Sequence, residues 1–161
     1  MLKKNYLLLF IFPLMLGSSD KPGVIKADDL MKRYTNESDT TYVVNFWATW
    51  CEPCVKELPD FERINEVYGK QKVKVILVSI DFLSDFDSRL VPFIEKRQMK
   101  SLIFQLGESK PDVFINKINP KWQGSIPSTM IINNAKKYSE FFEKPMTYEF
   151  LETKIKALEG N

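Results

Sequence analysis

The sequence predicts an α/β domain whose central sheet is mixed and flanked by helices, and two patterns carry that expectation. Two β-branched and aromatic runs, residues 41–47 (TYVVNFW) and 73–80 (VKVILVSI), are separated by a stretch with one apolar stripe at helical spacing. This is a βαβ unit, whose strands pair in parallel through a right-handed crossover. Farther on, residues 128–132 and 138–143 flank Asn133, Asn134, Ala135 and Lys136, a turn composition suited to an antiparallel hairpin.

Taken in order, residues 20–23, with Pro22 and Gly23, read as a short linker, and the domain is expected to run from Val24 to the end. Residues 27–34 form a short helix, and 41–47 a buried strand. From Cys54 onward, Leu58, Phe61, Ile64 or Asn65, and Tyr68 recur at steps of three and four; Pro59 is expected to kink this helix and Gly69 to close it. After the strand at 73–80, Pro92 suits the first turn of a helix reaching Gln98, followed by a strand at 102–106. Pro111, Pro120 and Gly124 interrupt residues 107–125, where pattern supports only a helical turn around 112–117 and fixes no path. Thr147 caps a last helix that places Tyr148, Leu151, Ile155 and Leu158 on one face, with Gly160 beyond its end.

Composition narrows the chemistry. Among 161 residues there is no histidine, which excludes Ser-His-Asp and Cys-His catalysis and every His-containing metal site. Lys3 and Lys4, the apolar run at 6–16, and then Gly17, Ser18 and Ser19 have the three-part build of a secretory signal over residues 1–19. The run is shorter than the roughly 20 residues a membrane-spanning helix needs, so cleavage is expected, with an uncleaved anchor as the alternative. Without residues 1–19 the chain holds 21 basic and 21 acidic residues, and no basic stripe marks a nucleic-acid or anionic-membrane partner. Aromatics such as Phe46, Phe61 and Phe150 fall at predicted core positions, so no exposed dimer patch is expected.

The only two cysteines, Cys51 and Cys54, lie where a buried strand gives way to a helix. That spacing suits a reversible intramolecular disulfide. A ring this small restrains the unfolded chain far less than the 15-residue loop worth about 3 kcal/mol, so structural bracing explains it poorly. At a helix N-terminus the free N–H groups and the dipole favour a thiolate, making Cys51 the expected nucleophile. Cys54, one turn deeper on the same face, is the expected resolving thiol. An inert local disulfide, or a half-site for zinc or copper completed by a second chain, would use the same two residues; no further soft ligand stands nearby, and no metal or other cofactor is expected.

The run Val43-Val44-Asn45-Phe46-Trp47-Ala48-Thr49-Trp50-Cys51-Glu52-Pro53-Cys54-Val55-Lys56-Glu57-Leu58-Pro59, with Ser125-Ile126-Pro127-Ser128-Thr129 about 70 residues later, closely resembles exported thiol-disulfide oxidoreductases of the TlpA/ResA type. The resemblance covers the chain from about Val24 in element order, although residues 107–122 depart from the commonest members. It implies a thioredoxin-like three-layer α/β/α fold with a mixed central sheet. Pro127 matches the family's cis-proline, beside which the backbone of Ile126 would pair with an extended client segment. Glu57 matches a carboxylate that acts on the thiols and on proton transfer, although a helix charge at this position would ordinarily face water. Trp50 matches the aromatic residue before the nucleophile, and with Glu52 and Pro53 it completes the expected client-binding positions.

The implied partners are disulfide-containing proteins and, as electron donor, a membrane electron-relay protein, in a periplasmic or cell-envelope setting. Glu52 beside the nucleophile opposes thiolate formation and favours a reducing couple, so protein-disulfide reduction is the expected activity. Oxidase or isomerase activity on the same fold is the alternative, followed by a metal-binding or non-catalytic interaction module. A peroxidase would need a threonine-cysteine-arginine constellation, and Thr49, two residues before Cys51, does not meet its spacing.

Overall fold

A computed structural model describes residues 21–33, 38–108 and 110–160. The expected signal at 1–19 lies outside them, as does Tyr34, the expected end of the first helix. In chain order the elements are β1 (Gly23–Ile25), α1 (Ala27–Lys32), β2 (Thr41–Trp47), α2 (Glu52–Tyr68) and β3 (Val73–Ser79). A 3-10 turn (Leu83–Asp85) and a π turn (Phe86–Leu90) lead into α3 (Val91–Arg97), followed by β4 (Leu102–Leu106) and α4 (Pro111–Ile118). The chain closes with β5 (Ser128–Asn133), β6 (Tyr138–Phe142) and α5 (Tyr148–Glu159).

The sheet runs β1-β4-β3-β2-β5-β6, parallel from β1 to β2 and antiparallel across β2-β5 and β5-β6. Alternation along β2 divides the molecule into three layers. Val43 and Trp47 face one core with α2, α3 and α5, whereas Val44 and Phe46 face a second core with α1 and α4. Strands buried on both faces read as continuous apolar runs, which is why β2 and β3 stood out in the sequence.

Two regions differ from expectation. Residues read as a linker include the start of β1, a three-residue edge strand that pairs with β4 from Gly23 opposite Phe104 to Ile25 opposite Leu106. Three residues are too few to show any period. The stretch 107–125 has a definite path: α4 begins with Pro111, buries Phe114 and Ile118, and returns through Trp122. The Trp122 ring lies 5.0 Å from that of Phe46, 5.7 Å from Phe114 and 5.8 Å from Phe141, centroid to centroid, and closes the second core. Its indole Nε1 donates to the Ser125 carbonyl at 2.8 Å. Between them Gly124 takes φ +86°, a backbone that residues with a β-carbon rarely adopt.

Helix α2 is a single element through Pro59, although that proline supplies no N–H to the Val55 carbonyl. At the far end of the chain Thr147 caps α5 by accepting from the Phe150 N–H at 3.3 Å, and Tyr148, Leu151, Ile155 and Leu158 are buried.

Candidate active site

The end of β2 and the start of α2 build the thiol centre. After Trp47 the chain turns through Ala48, whose carbonyl accepts from the Cys51 N–H at 3.1 Å. The helix begins at Glu52, earlier than the apolar stripe indicated, with Pro53 in its first turn and Cys51 as its N-cap. Cys51 and Cys54 form a disulfide with Cα atoms 5.2 Å apart. The Cys54 N–H points at the Cys51 sulfur from 3.3 Å, so one free donor of the helix end is aimed at that atom. Cys51 is 6% exposed and Cys54 is fully buried, so only the first sulfur can be approached from outside.

Opposite the pair, the Ile126–Pro127 peptide bond is cis, and the Ile126 carbonyl oxygen lies 3.9 Å from the Cys51 sulfur. Trp122 holds this loop from beneath through its bond to Ser125. From the surface side Glu143 accepts from the Ser125 hydroxyl at 2.6 Å and from the Gln123 N–H at 3.0 Å.

Glu57 is 3% exposed, not a solvated helix charge. Residues 43, 45 and 47 of β2 face α2, so Asn45 meets it: the Asn45 amide donates to one carboxylate oxygen at 2.7 Å and to the Thr129 hydroxyl at 3.1 Å. The Met146 N–H donates to the other carboxylate oxygen, also at 2.7 Å. Burial pushes the Glu57 carboxyl up to about 7, against these two hydrogen bonds, which favour the charged form; nearby Asp60 adds a smaller upward push. Glu57 therefore titrates at neutral pH one helical turn from Cys54.

A raised carboxyl pKa means that the folded protein binds more protons than the unfolded chain between pH 4.5 and about 7, so stability falls as pH rises through that window. The loss across it is on the order of 3 kcal/mol. Urea unfolding of the oxidised protein and of Glu57→Gln over this range checks it: the difference in stability between the two should change with pH by that amount. A pH-independent difference would remove Glu57 as the titrating group.

Several contributors escaped the sequence reading. Asp81, just after β3, accepts from the Thr49 N–H at 3.0 and 3.2 Å, from the Thr49 hydroxyl at 2.6 Å and from the Ser79 hydroxyl at 2.7 Å. Gln105 on β4 donates to the carbonyls of Asp81 and Phe82, each at 2.9 Å. A signal for these was present: Asn45, Ser79, Gln105 and Thr129 are polar residues in otherwise apolar strands, and buried polar groups are there because something pairs them. Glu52, expected to place a negative charge beside Cys51, sits in an ion pair. Lys56 bonds it at 2.7 Å and holds its carboxyl below the usual range. Trp50 is 54% exposed, and Phe82 and Leu83 are exposed as well. Among the described residues no three acidic or cysteine side chains converge as metal ligands.

A disulfide at a helix N-terminus, faced by a cis-proline loop on a three-layer α/β/α frame, defines a thiol-disulfide oxidoreductase of the thioredoxin fold. The family profile described as AhpC/TSA matches residues 31–138, and the chain belongs to that family. Among curated relatives, the thiol-disulfide oxidoreductase ResA of Geobacillus kaustophilus is 26% identical over 115 residues, covering 71% of this chain and 61% of that one. The thioredoxin of Malassezia sympodialis is 31% identical over 103 residues, covering 64% of this chain and 93% of its own length. A thioredoxin-related protein from Neisseria meningitidis serogroup B superimposes with a TM-score of 0.64 at 21% identity, over 77% of this chain and 88% of that one.

Proposed function

We propose that the chain is an exported protein-disulfide reductase, with Cys51 as nucleophile and Cys54 as resolving thiol. The observation that carries this reading is the Cys51 sulfur at the α2 N-cap, contacted by the Cys54 N–H and edged by the Ile126 carbonyl, with its partner sulfur buried behind it. In the dithiol state the Cys51 thiolate attacks one sulfur of a client disulfide, forming a mixed disulfide and releasing the first client thiolate. Cys54 then loses its proton, attacks the Cys51 sulfur and releases the second client thiolate. The client gains two electrons and two protons, and the enzyme ends in the disulfide form. Glu57, neutral or charged with nearly equal ease at pH 7, accepts the Cys54 proton directly or through water.

Trp50, Glu52 and Pro53 lie on the client's side of the pair, and Ile126 and Pro127 offer backbone to an extended segment. A membrane electron-relay protein returns the two electrons. Residues 1–19 direct export, leaving the domain from about Val24 onward in the cell envelope; the mass of protein recovered from that compartment tests this, and a chain found whole and cytoplasmic would overturn it.

Direction is tested by the reduction potential of the Cys51/Cys54 couple, equilibrated against defined thiol-disulfide buffers. A value near or below about −230 mV is expected; one between about −180 and −120 mV would make the protein an oxidase or isomerase. That second reading has one observation in its favour, because Lys56 offsets the Glu52 charge that would otherwise oppose the thiolate.

A further inference from the structure

We propose that Phe82 and Leu83 extend the client-binding surface beyond Trp50 and give the enzyme a preference for disulfides flanked by apolar residues. The inference rests on the reading of Cys51 as the nucleophile. Phe82 is 64% exposed and Leu83 43%, although the loop that carries them is firmly held. Beneath it, buried Asp81 takes three hydrogen bonds from Thr49, and buried Gln105 bonds the carbonyls of Asp81 and Phe82. The Ile80 N–H also reaches the Trp47 carbonyl at 2.8 Å. Loop 80–83 thus runs beside loop 47–50, and each half of the Asp81–Thr49 contact is followed directly by an exposed aromatic: Phe82 on one side, Trp50 on the other.

This placement has a cost that the fold does not require. The same segment turns Phe86 and Leu90 inward to the core, through a π turn of the kind that recurs at functional sites. Adjacent exposed apolar side chains on an anchored loop beside a reactive centre are candidates for an interaction surface, because contiguous apolar surface is what such sites expose. Its occupant is set by what lies next to it: the Thr49–Asp81 contact fixes this loop beside the turn that carries Trp50 and Cys51, so the neighbour that fits it is a client joined covalently to Cys51. Charges flanking the patch in sequence are paired, Glu52 with Lys56 and Asp85 with Arg89, so neither sign predominates and an uncharged apolar segment fits it best.

The test uses two peptides that carry the same disulfide and differ only in its neighbours, Phe and Leu in one and Ser and Asn in the other. The folded protein is expected to reduce the apolar peptide with about tenfold higher kcat/KM, a ratio equivalent to 1.4 kcal/mol. In the double variant Phe82→Ser, Leu83→Ser the ratio should fall to within about twofold, through KM, while the potential of the Cys51/Cys54 couple stays unchanged. Equal rates for both peptides with the unaltered protein, or a preference that survives in the variant, would overturn the proposal. So would a shifted potential, which would mean that the loop acts on the thiols, or a dimer in sedimentation that the variant abolishes, which would make a second copy the occupant. Failure of the unaltered protein to reduce even oxidised glutathione is a separate result: it removes the reading of Cys51 and this inference with it.

Discussion

Cys51→Ser is expected to cut disulfide exchange to the uncatalysed rate, a loss on the order of 10³-fold or more, the scale on which removal of a nucleophile acts. A serine hydroxyl is not ionised at neutral pH, so neither the Cys54 N–H nor the helix dipole has an anion to stabilise. Cys54→Ser should behave differently. It leaves Cys51 able to attack but removes the second step, and a mixed disulfide with the client should accumulate. Non-reducing electrophoresis or intact mass would show an adduct of enzyme plus client that dithiothreitol dissolves. The burial of Cys54 makes the two roles unequal; an adduct formed by Cys51→Ser, with none from Cys54→Ser, would reverse them.

The second large effect concerns Trp122. Trp122→Ala should destabilise the domain by about 3–5 kcal/mol, a large share of the 5–15 kcal/mol of an ordinary domain. The ring is buried between those of Phe46, Phe114 and Phe141, so its removal leaves a cavity in the second core. Denaturant unfolding gives the number; a loss below about 1 kcal/mol would mean that the second core does not depend on this ring. Trp122→Phe separates packing from hydrogen bonding, since it keeps most of the volume but frees the Ser125 carbonyl. It should cost about 1 kcal/mol beyond the volume change and slow client exchange, because the released carbonyl is one residue from Ile126.

How far the sequence reaches is visible at particular residues. Residues 41–47 and 102–106 have the bounds of β2 and β4, and the buried face of α5 matches residue for residue, because the strands are continuous apolar runs and the helix carries a periodic stripe long enough to be counted. The cysteine pair was visible because its chemistry depends on spacing within four residues. What stayed hidden depends on contacts between distant positions. Asp81 and Thr49 are 32 residues apart, and Glu57 and Met146 are 89 apart; only the closed sheet brings them within bonding distance. Trp122 belongs to the same group, since nothing local says that an indole following Pro120 will return to Phe46 on β2.

The bond from Met146 to Glu57 links the thiol chemistry to the chain just ahead of the last helix. Because coupling free energies are reciprocal, any event that changes the charge on Glu57 must change the hold on that amide, and anything that loosens the chain before α5 must shift the acid's proton affinity. Protection of a single main-chain hydrogen at position 146 against deuterium is therefore a gauge of the centre's protonation, readable without any substrate and from outside the cysteine pair.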